Sequence, residues 1–192
     1  TKGLRAGRPQ GPRVGGGIPW EARGRGGYGQ PCVGSKGVGG KALGYSQVGG
    51  SVDRVTGQAT NCCGDFKSAV TLEVPDAPNE KGTHQGRYFK FPFDTQKITY
   101  QWWDNDLGRP EPMKFLRTEQ IEGVQTYVFQ QKSGPETYAK RTGLPGELFN
   151  TNKPDDADAV YQNTRTLFIE PNTGVVIKGV EEINKRLEAH GL

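Results

Sequence analysis

His84 and His190 are the only two histidines of the 192-residue chain, and with the adjacent pair Cys62-Cys63 they are the side chains best suited to nucleophilic or metal chemistry. A zinc site wants Cys or His pairs with about two to four residues between them, and Cys62-Cys63 has none. Adjacent cysteines close only a small strained ring, so free thiols, or one bond to a distant cysteine, is the expected state. Lys67 is the one nearby cation able to lower a thiol pKa. No Ser-His-Asp or Cys-His spacing marks a nucleophile. Glu119 with Glu122, and Asp104 with Asp106, are spaced to share acid–base work, but each pair sits beside a turn, where carboxylates are normally solvated. Asp155, Asp156 and Asp158 lack the Gly and terminal Glu of a calcium loop, and a solvated acidic loop is the expectation. These patterns argue against an enzyme, and no cofactor and no metal is expected.

Phosphate chemistry is suggested only by coincidence. Gly24-Arg-Gly26-Gly-Tyr-Gly29 spells G-x-G-x-x-G, but that motif works only after a buried strand and before a helix, and neither flanks it. Gly34 to Lys41 misses a P-loop by one residue and puts Ala42 where Ser or Thr should hold magnesium. Arg25-Gly26-Gly27-Tyr28 carries more physics. Arg-Gly-Gly tracts with aromatics bind single-stranded nucleic acid through phosphate charge and base stacking, which singles out Arg23, Arg25 and Tyr28.

Charge and glycine are unevenly spread. Residues 1–50 hold 17 of the 29 glycines and eight Lys or Arg against Glu21 alone, a net +7. The other 142 residues carry a net −3, so the overall +4 belongs to the first segment. Sequence this rich in glycine buries too little apolar surface to offset its ordering entropy. The expectation is a disordered Gly/Arg-rich segment over 1–50 and a folded domain over 51–192. Glycine, arginine and proline at this density are also what G·C-rich DNA encodes out of frame, with true coding then starting near Val48. No apolar run reaches the eighteen or so residues of a membrane span, and the basic start has no apolar stretch of a signal peptide behind it.

The elements of 51–192 read as strands and turns. Val52 to Gln58 is a short strand into a Thr-Gly turn, Asn61 to Gly64 a turn, and Ala69 to Val74 a strand. Phe89, Phe91 and Phe93 alternate with Tyr88, Lys90 and Pro92, which predicts a strand with three Phe on one core face, placed by Pro92 at a sheet edge or a bulge. Ile98, Tyr100 and Trp102 alternate likewise. Glu122-Gly123 between two apolar runs, and Pro171-Asn-Thr-Gly174 between two more, predict hairpins. Residues 133–163 read as a long polar excursion. Ile183 and Leu187, four apart among helix formers, predict a terminal helix over Val180–His190.

Four blocks then carry a resemblance. Val52 to Gly64, Gly86-Arg-Tyr-Phe-Lys-Phe-Pro-Phe-Asp-Thr-Gln-Lys-Ile-Thr-Tyr100, Gly123 to Phe129, and Arg165-Thr-Leu-Phe-Ile-Glu-Pro-Asn-Thr-Gly-Val-Val-Ile177 resemble, in order, the actinobacterial PorA-like porin family of envelope proteins. The similarity runs from about Ser51 to Glu182. It implies an extracytoplasmic β domain held in the cell envelope by membrane helices at both ends. Here the Gly/Arg segment stands in place of the first helix and first strands, which makes a partial or frame-interrupted member the expectation. The hairpin order is also similar to the lipoprotein-carrier (LolA-like) half-barrels, as an analogy of architecture. No catalytic residue carries over.

The sequence therefore predicts a mainly β fold, a curved antiparallel sheet of hairpins. Its function is read as non-enzymatic, in the cell envelope, binding lipid or envelope components or contributing to a pore. Phe93, Tyr100, Trp102 and Trp103 are the ligand-binding candidates, chosen as exposed aromatics. Nucleic-acid binding through Arg23, Arg25 and Tyr28 is the alternative.

Overall fold

Backbone pairing begins well inside the glycine-rich segment. The structure, a computed structural model, describes residues 20–23, 26–29, 32–36, 42–67, 79–152 and 155–189. Strands β1 (Trp20–Arg23), β2 (Gly26–Gly29), β3 (Cys32–Lys36), β4 (Ala42–Asp53), β5 (Phe66–Lys67) and β6 (Glu80–Lys81) form a six-stranded sheet, ordered β1-β2-β4-β5-β6 with β3 also on β4. β2 pairs with Gly50–Asp53 and β3 with Ala42–Gln47, so β4 serves both and runs unbroken through residues 50 and 51. Composition argues for disorder here because it measures side-chain burial. Main-chain bonds such as those of Gly27 opposite Val52 need no side chain. The strand expected over Ala69–Val74 lies outside the described residues.

From Tyr100 onward, alternation of apolar and polar residues builds a five-stranded antiparallel meander: β7 (Tyr100–Asp104), β8 (Arg109–Ile121), β9 (Val124–Leu144), β10 (Asp155–Glu170) and β11 (Val175–Ala189). Each strand pairs with its chain neighbour, joined by the turns at Asn105–Gly108, Glu122–Gly123 and Pro171–Gly174 and, between β9 and β10, by a 3-10 turn at Gly146–Phe149. The two expected hairpins are both present. One face of this sheet carries Tyr100, Trp102, Met113, Phe129, Leu167 and Ile169, a buried cluster with Phe91 packed into it. No helix among the described residues is long and apolar enough to cross a membrane.

Two expected irregular or helical regions are strand instead. The polar stretch 133–163 continues β9 to Leu144 and starts β10 at Asp155, in antiparallel register such as Ala159 opposite Ala139. Lys140, Arg141 and Asp156 stay exposed on this paired ladder. Gly134, at φ +72°, lies against the Tyr161 carbonyl oxygen where the ladder shifts register, a place no Cβ fits. The expected terminal helix is strand β11, paired with β10 from Val175 to Ala189.

The phenylalanine segment is not a strand. Arg87 makes isolated bridges to Gln58 and Trp102, and the chain then crosses the core as a strap. Phe91 is fully buried, Phe89 partly, and Phe93 is 43% exposed, so the three rings do not share a face. Pro92 lacks an N–H and Asp94 sits at φ +50°, which together break the extended run. The strap is pinned by backbone bonds to the β10–β11 turn: Phe91 N–H to Gly174 O at 2.9 Å, Asp94 N–H to Asn172 O at 3.1 Å, and Thr95 N–H to Pro171 O at 2.7 Å. Gly174, at φ +72°, is where these backbones meet, and a Cβ there would strike the Phe91 carbonyl.

Candidate functional site

The apolar face of the meander turns polar along its length. On β10 the residues that follow the Leu167/Ile169 period backwards are Arg165, Asn163 and Tyr161, and on β9 Gln131 and Ser133 lie opposite Arg165 and Asn163. Asp104, at the end of β7, is the hub and is fully buried. Its Oδ2 accepts from the Tyr161 hydroxyl at 3.0 Å and from Ser133 Oγ at 3.1 Å. Its Oδ1 accepts the N–H groups of Asp106 at 3.0 Å and Leu107 at 3.2 Å, closing the β7–β8 turn. Burial first, and then the Asp104 charge, push the Tyr161 hydroxyl above its ordinary pKa, so it stays a neutral donor. The expectation that Asp104 and Asp106 are solvated does not hold for Asp104. Asp106 is bound by Lys185 Nζ at 2.5 Å.

Arg165 is the cationic arm of the cluster. Its Nε meets Glu181 Oε1 at 2.5 Å, and its Nη1 donates to Gln131 Oε1 at 2.7 Å. Gln131 Nε2 in turn donates to the Trp102 carbonyl at 2.8 Å, tying the arm to β7. Burial works against the guanidinium charge, but Glu181 and Asp104 outweigh it, and the Arg165 pKa is raised. The cluster thus links four strands through Asp104, Ser133 and Gln131, Tyr161 and Arg165, and Glu181. Beside it the Asn163 side-chain amide is buried with neither its nitrogen nor its oxygen hydrogen-bonded.

A second polar knot joins the sheets. Ser51 on β4 donates through Oγ to Asp65 Oδ1 at 2.6 Å, and His84 Nδ1 lies 3.7 Å from Asp65 Oδ2. The fold assembles Ser, Asp and His that sequence spacing kept apart, but in the wrong order for a nucleophile. The carboxylate sits between the other two, and the serine faces it rather than the imidazole. All three are buried. His84 stacks on Tyr88 and meets Trp103 edge-on, and Asn61 clasps its backbone at 2.7 and 2.9 Å. Cys62 N–H donates to Ser51 Oγ at 3.0 Å. Cys62 and Cys63 are bonded to each other, Cα atoms 3.7 Å apart, which replaces the expected free thiols or long-range bond.

Burial lowers the His84 pKa from its ordinary 6.5, with Asp65 partly offsetting that. Below pH 6.5 the unfolded chain therefore takes up a proton that the folded chain resists, and stability falls as pH falls. Urea midpoints measured above and below that pH should show this loss, and His84→Gln should flatten it.

Of the four aromatic candidates, Tyr100 is 6%, Trp102 4% and Trp103 8% exposed, and only Phe93 reaches solvent. Trp102 stacks on Phe91 in the apolar cluster, while the Trp103 indole N–H donates to Asn105 Oδ1 at 2.9 Å. The strap covers Trp102 and His84 lies edge-on against Trp103, so the exposure that nominated them is absent for three of four. Arg23 lies in β1 and Tyr28 in β2, opposite Ser51 of β4; Arg25 lies outside the described residues. What does open to solvent is a polar depression of about 470 Å³ where strap and hairpin turns meet, lined among others by Asp94, Gln96, Gln125, Tyr127, Glu170 and Asn172. Beside it Lys97 Nζ lies 5.0 Å from the Tyr127 ring centre. The residues sequence reasoning missed, Tyr161, Asn163 and Arg165, were signalled by their period-two continuation from Leu167 and Ile169.

The comparisons with known proteins agree with one another. The family model described as Porin PorA matches residues 32–191. That match starts ahead of Val48, inside the Gly/Arg-rich segment. A Porin PorA of Corynebacterium amycolatum is 24% identical over 163 residues, covering 69% of this chain and 42% of the relative. A Porin PorA of Corynebacterium resistens is 23% identical over 193 residues, covering 71% and 46%. The chain spans less than half the length of these relatives. It belongs to the PorA porin family.

Proposed function

We propose that this chain serves at the cell envelope as a non-enzymatic, extracytoplasmic β module, engaging lipid or other envelope components and contributing to a pore only within a larger assembly. The match to the PorA porin family over residues 32–191 is the observation that carries this reading. Two features support its finer parts. Membrane barrels close with about eight strands or more. The meander has five, and both described sheets are open. Exposed apolar side chains occur on two strands, Leu116 next to Lys114 and Arg117 in the β8 sequence, and Val175, Ile177 and Val180 next to Lys178 in that of β11. Apolar residues fringed by cations suit the boundary between acyl chains and anionic headgroups. The polar depression adds hydrogen-bonding groups within the same module.

Native mass spectrometry of the whole chain, gently extracted from a host with membranes, tests the lipid part. The expected spectrum contains lipid adducts that disappear on activation. A folded chain that is lipid-free under every extraction would refute it.

A further inference from the structure

β7 and β11 are the two edges of the meander. The β7 edge is covered. Arg87 lies parallel to Trp102, its N–H donating to Gln101 O at 2.9 Å and its carbonyl accepting from Trp103 N–H at 2.7 Å. The β11 edge has no partner among the described residues, although it is 15 residues long. Natural edges are blunted by proline, by bulges, by shortness or by charged side chains, and of these β11 beyond Lys178 carries only charge, in both signs, which a partner strand of matching register turns into attraction. From Lys178 to Ala189 β11 has no proline, and its register with β10 is unbroken. Its backbone donors and acceptors form a template for another strand.

We propose that this edge pairs with β11 of a second copy of the chain, antiparallel about a twofold axis at Ile183, so that one sheet runs through both copies. Paired residues in an antiparallel ladder share a face, so the axis must pass through a residue position rather than between two. An axis at Ile183 sets Glu181 opposite Lys185 and Lys178 opposite Glu188, each twice by symmetry, with Ile183 against itself. An axis at Glu182 sets Glu182 against itself and Lys178 against Arg186. One at Lys185 sets Lys185 against itself and Glu182 against Glu188. Like charges directly opposite are destabilising, which removes both. An axis at Asn184 matches only Glu182 with Arg186 and leaves Glu181 opposite Leu187 and Lys185 opposite Ile183. Ile183 is the register that places an opposite charge across from the largest number of charged residues. Glu181 and Lys185 are already held by Arg165 and Asp106, so the second copy meets side chains fixed in place. This inference stands apart from the lipid reading.

Light scattering behind size exclusion on the whole chain tests it. The wild type is expected at twice the 21.0 kDa protomer mass. Lys178→Glu and Glu188→Lys each turn two attractive pairs into repulsive ones and should raise the dimer dissociation constant about tenfold. Both side chains are exposed, and far-ultraviolet circular dichroism should confirm that each variant is folded. Mixing the two variants restores opposite charges at every altered pair, and the mixture should dimerise like wild type. A wild type that stays monomeric as concentration rises would overturn the proposal. So would a dimer indifferent to both reversals, or one that the mixture fails to restore.

Discussion

Phe91→Ala is expected to cost about 3–5 kcal/mol of unfolding free energy, while Phe93→Ala costs less than about 1 kcal/mol. Phe91 is fully buried, with its ring centre 4.9 Å from Trp102, 4.7 Å from Phe129 and 5.2 Å from Tyr100. Removing it empties the middle of the apolar cluster, while the main-chain bonds that pin the strap to the β10–β11 turn remain available to alanine. Phe93, two residues on, is 43% exposed, with Lys90 Nζ 3.9 Å from its ring centre. A strand with all three rings on one buried face would lose similar amounts at both positions. Guanidinium unfolding followed by tryptophan fluorescence separates the two arrangements, because Trp102 reports on the very contact removed.

Arg165→Met is the second large effect, expected to cost about 3 kcal/mol, since removing one partner of a largely buried ion pair strands the other. The Arg165 side chain is 13% and Glu181 21% exposed, so little water replaces the lost partner. Gln131 also loses its donor, and through it the tie to Trp102 weakens. Glu181→Gln alone should cost less, because a neutral amide still accepts from the guanidinium. In the double variant the stranded charge is gone, and part of the Arg165→Met loss should return. Strict additivity in that cycle would show that Arg165 and Glu181 are not coupled, against the geometry described.

The hairpins were legible because their turns require particular chemistry. Glu122 at φ +48° and Gly123 at φ +84° occupy left-handed backbone that few residues accept, and Gly174 does the same. The terminal element was not legible, for a definite reason. Ile183 and Leu187 are four apart, a spacing that puts them on one face of a helix and equally on one face of a strand. Local propensity favoured helix, and pairing with β10 along its whole length decided for strand. The polar stretch 133–163 failed similarly, since its partner strand is remote in sequence. The exposure expected of the aromatic candidates holds only for Phe93, because exposure is not a property of sequence: Trp102 and Trp103, neighbours on β7, point to opposite faces and both are buried. The family was legible through short blocks, and its match extends them back to residue 32, where glycine-rich composition hid β3 and β4.

Current recording across planar lipid bilayers with the purified whole chain tests the account most directly. An open five-stranded meander encloses no lumen, and the account predicts a silent membrane at protein concentrations where lipid binding is saturated. Reproducible discrete conductance steps from this chain alone would contradict it.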